Sequence, residues 1–133
     1  MSRADATEQR TRTRVLVVED NPEVMHFLDE LLVLNNYEVV LARNGIGAMV
    51  ALTAPEPESP HVVLLDLGLP LESGVSVLAF LRQVMQSGLP VIVLTGRQDP
   101  DEEAAVRELG VSSYLSKPAS ADKVLTAISR ALA

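Results

Sequence analysis

The chain has 133 residues, 47% of them hydrophobic, and its 18 acidic and 11 basic residues give a formal net charge of −7. That length suits one domain with a single core, while the negative charge and the 3% of aromatic residues argue against nucleic acid as a direct partner. Cysteine is absent, which excludes disulfides and thiolate metal sites, and there is neither a signal peptide nor an apolar run of ~18 residues, so we expect a cytoplasmic protein without membrane contact.

Residues 1–13 are polar, mixed in charge and without hydrophobic period, which predicts a disordered N-terminal tail ahead of one domain over residues 14–133. The apolar run Val15–Val18 predicts the first strand. A stripe at helical spacing over residues 24–32 predicts the first helix, and Glu38–Ala42 follows as the second strand.

The rest of the domain continues the alternation of apolar runs and helical patterns. The further elements, in chain order, are a helix from Asn44-Gly45, strand Val62–Leu65, helix Val75–Met85, strand Val91–Leu94, a helix from Asp99 to Gly110, strand Val111–Leu115 and a helix from about Ser120. The helical stripes, which include Phe27, Val84 and Leu132, are predicted to face the core. Five strands alternating with five helices predict an α/β fold of (βα)5 type, a doubly wound five-stranded parallel sheet.

Polar residues stand at the carboxyl ends of these predicted strands. Glu19 and Asp20 follow the first strand, Asp66 the third, Thr95 the fourth and Lys117 the fifth. Because parallel strands bring their carboxyl ends to one edge of the sheet, where ligands of such folds bind, we expect these side chains to converge. Taken singly, each could be a cap, a turn or a surface residue.

The converging groups have the chemistry of a phosphoryl-transfer site. Three neighbouring carboxylates repel one another unless a cation neutralises them, and an all-oxygen site of this kind suits Mg²⁺. Lys117 offers a positive charge and Thr95 a hydroxyl for a phosphoryl group. An aspartate such as Asp66 is a competent oxygen nucleophile, which would yield an aspartyl phosphate.

A family resemblance rests on a small set of motifs. They are Glu19-Asp20, Asp66 within DLGLP, Thr95-Gly96 and Lys117-Pro118. In this order and spacing they resemble the receiver domain of two-component response regulators, over nearly the whole chain. The resemblance implies a flavodoxin-like receiver fold and a signalling role. A histidine kinase or histidine phosphotransfer domain would pass a phosphoryl group to Asp66, making the protein a phosphoryl acceptor with at most self-catalysed phosphorylation and dephosphorylation.

The same resemblance assigns metal ligands at the acceptor. It implies that Asp20 and Asp66 bind Mg²⁺ directly, that the Gly68 carbonyl is the third protein ligand, and that Glu19 acts on the metal through water.

The resemblance also implies phosphoryl ligands and a conformational switch. Thr95 and Lys117 would bind the phosphoryl oxygens, and the Lys117–Pro118 peptide bond would be cis. Tyr114 matches the aromatic residue that turns inward as Thr95 moves toward the phosphoryl group.

Other functions remain as alternatives at this stage. A small Mg²⁺-dependent phosphatase with an Asp nucleophile generally needs a second acid two residues later, where this chain has Gly68. A flavin-binding module needs a phosphate loop after the first strand, where Glu19 and Asp20 would repel the phosphate. A phosphorylation-independent interaction module is the third alternative.

The output side departs from the pattern of winged-helix transcription factors. Ala119 replaces the Phe that follows Lys-Pro in many of them, and Ser112 and Ser113 replace acidic residues. These departures argue against the charged dimer face that those regulators use on their last helices. The expected partners are a downstream protein effector or a C-terminal output domain outside this chain, with a homodimer as a further assembly to test.

Overall fold

The computed structural model describes residues 12–70 and 72–133, and within them five parallel strands form one sheet in the order β2-β1-β3-β4-β5. The strands are β1 Arg14–Val18, β2 Glu38–Ala42, β3 Val62–Leu65, β4 Val91–Thr95 and β5 Ser113–Ser116. The helices are α1 Pro22–Leu34, α2 Gly45–Leu52, α3 Gly74–Ala79 with a π-helical continuation Phe80–Val84, α4 Pro100–Leu109 and α5 Ala121–Ala131. The predicted (βα)5 architecture is confirmed.

Burial along the strands explains the strand order. Every residue of β1, β3 and β4 is buried, which matches the continuous apolar runs of strands covered on both faces. The edge strands β2 and β5 are only partly buried and contain polar residues. The fifth strand lies slightly later in the chain than the predicted Val111–Leu115, because the backbone bends at Ser112 and the pairing with β4 runs from Ser113 to Ser116.

Two hydrophobic clusters lie on opposite faces of the sheet. One joins the sheet to α2, α3 and α4 through residues such as Ala48, Leu78 and Val106. The other joins it to α1 and α5 through residues such as Leu28 and Ile128. The clusters therefore cover both faces of the sheet, and the loops that lead from strands to helices meet at its carboxyl edge.

The prediction that Phe27, Val84 and Leu132 face the core is wrong, since 43%, 70% and 38% of their surfaces are exposed. Val84 ends the π-helical segment, whose wider turn rotates later residues away from the stripe set by Val77 and Leu81. Leu132 is the C-cap of α5 and therefore lies past its last full turn. Phe27 lines an open groove instead of packing inward.

The tail prediction covers residues 1–13, of which only Arg12 and Thr13 fall within the described part of the chain. None of the helices in the described part is both long enough and apolar enough to cross a bilayer.

Candidate functional site

Backbone hydrogen bonds join four strand ends in two pairs at the carboxyl edge of the sheet. The Asp66 N–H donates to the Val18 carbonyl over 3.0 Å, which places Asp66 beside the end of β1. The Lys117 N–H donates to the Thr95 carbonyl over 2.8 Å, which fixes the start of the β5–α5 loop beside β4. Backbone hydrogen bonds between neighbouring strands therefore hold Asp66 and Lys117 in the positions that the sequence predicts.

Three carboxylates meet at this edge. Glu19, Asp20 and Asp66 each offer an oxygen, and these oxygens lie within 4.8 Å of one another. Glu19 and Asp66 are buried, with 2% and 7% of their surfaces exposed, whereas Asp20 is open to solvent. Such a group of oxygen ligands, one of them accessible from outside, could hold a hard divalent cation that keeps part of its water shell.

Lys117 balances the two buried acids. Its Nζ pairs with Glu19 Oε1 and lies 3.4 Å from Asp66 Oδ2. Burial raises the pKa of Glu19 above its ordinary value, and neighbouring Asp66 adds to this rise, whereas the Lys117 contact and the Asn21 N–H act in the opposite direction. In the described part of the chain, Lys117 therefore offsets the negative charge of Glu19 and Asp66.

The Asp66 carboxylate is oriented from both sides. Its Oδ1 accepts a hydrogen bond from the Gly68 N–H at 3.1 Å, while Oδ2 faces Lys117. Gly68 and Pro70 turn the chain directly after β3, so the acid projects from a rigid strand end. A carboxylate oxygen held in this way can act as a positioned nucleophile.

Thr95 and the peptide bond after Lys117 complete the predicted cluster. Thr95 is 1% exposed, and its Oγ1 accepts a hydrogen bond from the Arg97 N–H at 3.2 Å. A hydroxyl that accepts in this way can still donate its own proton. The Lys117–Pro118 peptide bond is cis.

Tyr114 lies on β5, three residues before Lys117. Its ring is half-buried with the Arg107 guanidinium 5.5 Å from the ring centre, and its hydroxyl is buried without a hydrogen-bond partner among the described residues. Together with Arg97 and Ser116, it borders a cavity of about 300 Å³. An aromatic residue with an unpaired polar tip beside a cavity has room to change rotamer.

A comparison with protein families shows to which family a chain with this site belongs. The response regulator receiver domain family matches residues 15–129. The chain belongs to the response regulator receiver family. It is therefore the receiver domain of a two-component response regulator, with the CheY-like α/β fold seen above.

Curated relatives of this receiver domain are transcriptional regulators. The regulatory protein KdpE of Mycobacterium tuberculosis H37Rv is 38% identical over 120 residues, covering 90% of this chain and 51% of that protein. PrrA of the same strain is 38% identical over 108 residues, covering 81% of this chain and 45% of that protein. The receiver domain thus spans about half the length of the curated relatives it matches.

Solved structures agree with the family assignment. The signal receiver domain of an HD domain-containing protein from Pseudomonas fluorescens Pf-5 superposes with a TM-score of 0.82 at 30% identity, covering 91% of this chain and 94% of the other. A CheY-like receiver domain from Methanospirillum hungatei JF-1 gives a TM-score of 0.83 at 23% identity, covering 92% and 94% of the two chains, and this supports the fold alone.

Two residues of the receiver site escaped the sequence analysis. The Asn21 N–H donates to Glu19 Oε2 at 3.1 Å, while the Asn21 side chain caps α1, so one residue orients both the acid and the helix. Its place directly after the acidic pair was the available signal. Glu102 on α4 pairs with Arg97 at 2.8 Å, and no motif indicated this contact.

Proposed function

We propose that this receiver domain accepts a phosphoryl group on Asp66 from a phosphohistidine of a histidine kinase or histidine phosphotransfer domain. The observation that carries the proposal is the placement of the Asp66 carboxylate between the Gly68 N–H and Lys117, beside two further acids. Membership of the receiver family supports the same role.

The transfer needs no oxidant and no further reactant. An Asp66 carboxylate oxygen forms a bond to phosphorus while the P–N bond of the donor breaks, and the imidazole nitrogen keeps the electron pair of that bond. The product is an acyl phosphate on Asp66 and a free histidine on the donor. In the proposed site Lys117 and Thr95 bind phosphoryl oxygens, so that Lys117 shifts part of its pairing from the acids to the new group.

The donor set at the acceptor fits Mg²⁺. Asp20 and Asp66 would bind it directly with the Gly68 carbonyl, and Glu19 would act through water, consistent with carboxylate oxygens grouped within 4.8 Å. When bound, the ion offsets the negative charge that the carboxylates and phosphoryl oxygens place together. The Gly68 N–H and Lys117 would orient the Asp66 carboxylate.

Phosphorylation would act on output through Thr95 and Tyr114. Movement of the Thr95 hydroxyl toward the phosphoryl group changes the space next to β5, and Tyr114 has a buried hydroxyl without a partner among the described residues to hold it in place. A ligand shifts such an equilibrium only if it favours one rotamer, so the proposal requires that the phosphorylated state prefer the inward Tyr114. The partner that binds the switched state would be a protein effector or an output domain outside this chain.

An open groove next to the acceptor suits the phosphodonor. It has a volume of about 550 Å³ and is lined by residues that include Phe27, Leu94, Lys117 and Pro118. Docking there would cover the exposed Phe27 and bring the donor next to Lys117, whose Nζ lies 3.4 Å from Asp66 Oδ2. The alternative of an Asp-nucleophile phosphatase is disfavoured because the position two residues after Asp66 is Gly68, which has no acid to offer.

Incubation with acetyl phosphate and Mg²⁺ tests the proposal. We expect intact-mass spectrometry to show one phosphoryl adduct that hydroxylamine removes and that EDTA prevents from forming, because the acyl phosphate is labile and its formation relies on the cation. No adduct, in conditions where a known receiver domain is modified in parallel, would overturn the proposal in favour of a phosphorylation-independent interaction module.

Replacing the site lysine should reveal its competition with the metal. In Lys117→Met the two buried acids lose their counter-ion, so we expect a loss of roughly 2 kcal/mol in the free energy of unfolding without Mg²⁺. Mg²⁺ should bind this variant more tightly by about threefold to tenfold, since the cation no longer displaces a charge from the carboxylates. Urea unfolding and calorimetric titration measure the two effects.

Lys123→Met is the matched control, since Lys123 is exposed on α5. It removes the same charge and should leave both quantities unchanged. Equal or weaker Mg²⁺ binding by Lys117→Met would show that the cation does not share ligands with Lys117.

A further inference from the structure

An ion pair links the loop after β4 to α4 at the border of the acceptor site. Arg97 Nη2 lies 2.8 Å from Glu102 Oε2 and donates a second, longer hydrogen bond of 3.4 Å to the Leu67 carbonyl. Leu67 directly follows the acceptor Asp66. The Arg97 guanidinium therefore bridges the first turn of α4 and the acceptor loop, which begins at Asp66 directly after β3.

Arg97 and the Asp66 carboxylate both lie close to Gly68. A Cβ placed on Gly68 would lie 3.8 Å from Arg97 Nε and 3.9 Å from Asp66 Oδ1. The arginine and the carboxylate thus both border the space that a side chain at position 68 would occupy. A phosphoryl group on Asp66 would enlarge the acceptor beside this space and carry additional negative charge within reach of a long, flexible cation.

The two partners of the ion pair are buried to different degrees. The Glu102 side chain is 14% exposed, and its second oxygen is buried without a hydrogen-bond partner among the described residues, whereas the Arg97 side chain is 55% exposed. Glu102 is therefore the fixed member, and Arg97 is the member with freedom to leave.

We propose that the Arg97–Glu102 ion pair is an electrostatic latch, which holds the loop after β4 to α4 in the resting state and which a phosphoryl group on Asp66 opens by drawing Arg97 away from Glu102. This inference rests on the proposed phosphorylation of Asp66. A phosphoryl group carries more negative charge than one carboxylate and accepts the forked donors of an arginine well.

Opening the latch would change the surroundings of Tyr114 through α4. Burial raises the pKa of the Tyr114 phenol, and the charges of Glu103, Glu102 and Asp99 add to this rise. The negative charge of Glu102 is thus one of those that disfavour ionisation of the Tyr114 phenol, and its partner Arg97 borders the same cavity of about 300 Å³ as Tyr114. Once Arg97 has left, that charge is no longer balanced by its ion-pair partner, so the latch gives phosphorylation a second route to Tyr114 besides Thr95.

Titration with beryllofluoride in saturating Mg²⁺ tests the latch. This anion takes the place of a phosphoryl group on a carboxylate, and calorimetry gives its Kd for the wild type, Glu102→Gln, Arg97→Gln and the double variant. We expect Glu102→Gln to bind about twofold to fivefold more tightly, because its arginine is released beforehand. Arg97→Gln should bind more weakly by a similar factor, and adding Glu102→Gln to it should change nothing.

Glu103→Gln is the matched control. It removes the same charge from the same helix, but Glu103 pairs with Arg107 at 2.9 Å and not with Arg97. We expect its Kd to equal that of the wild type.

Three results among the variants would overturn the latch while leaving the proposed function intact. Equal Kd values for the wild type and Glu102→Gln exclude it, and so does a gain from Glu102→Gln that persists in the Arg97→Gln background, since the acid would then act by general repulsion. An equal gain from Glu103→Gln has the same meaning. If no protein, the wild type included, binds beryllofluoride or takes a phosphoryl group from acetyl phosphate, the proposed function fails and the latch with it.

Discussion

We expect Asp66→Asn to take up no phosphoryl group from acetyl phosphate and Mg²⁺, under conditions in which the wild type gains one adduct. This is the largest effect that the proposed function predicts, because an amide oxygen lacks the charge and nucleophilicity of a carboxylate. Intact-mass spectrometry of the two proteins, treated side by side, measures it.

The variant should remain folded, so that a missing adduct reports on chemistry. The amide oxygen that Asp66→Asn introduces can still accept the hydrogen bond that Asp66 Oδ1 receives from the Gly68 N–H, and Lys117 keeps its contact with Glu19. We expect the free energy of unfolding to stay within about 1 kcal/mol of the wild-type value. A folded Asp66→Asn protein that still gains a labile adduct would place the acceptor on another carboxylate, with Asp20 the first to examine.

Gly74→Ala should be the most destabilising small substitution near the site. Gly74 is buried at the start of α3, where its N–H donates to the Leu67 carbonyl at 3.0 Å. A Cβ there would overlap the Asp66 carbonyl oxygen and lie 2.6 Å from Leu67 Cα. Because these are backbone atoms of the acceptor loop, the loop or the helix must move. We expect a loss of about 3 kcal/mol or more in the free energy of unfolding, together with slower phosphorylation.

Gly88→Ala is the control for this substitution. Gly88 is exposed, and a Cβ there would have no atom within 4 Å. Urea unfolding should therefore give a curve close to that of the wild type. A Gly74→Ala protein as stable as Gly88→Ala would contradict the close approach of α3 to the acceptor loop.

The fold could be predicted because its strongest signals are local. Continuous apolar runs mark the covered strands β1, β3 and β4, and the helical stripes between them require a parallel sheet with helices on both faces. The exposure of Val84 could not be predicted, since periodicity assumes a regular helix and the π-helical turn before it breaks the period. The exposure of Phe27 depends on a groove between α1 and the β5–α5 loop, which is a tertiary feature.

The meeting of the site residues follows from topology, and for that reason the sequence could predict it. Glu19, Asp66 and Lys117 come directly after parallel strands, so the sheet carries them to one edge whatever their rotamers. The Arg97–Glu102 pair has no such guarantee. It depends on how the loop after β4 curves back and on which rotamers both long side chains take, and helical or strand periodicity contains neither.

Reductive mapping of the phosphorylated wild type tests the central claim most directly. Sodium borohydride converts an aspartyl phosphate to homoserine, and peptide mass spectrometry then identifies the converted residue without any substitution in the protein. The proposed function predicts homoserine at position 66 and at no other acid, in amounts that follow the phosphoryl adduct and vanish when Mg²⁺ is withheld. Homoserine in place of Asp20, or an adduct that yields no homoserine, would contradict it.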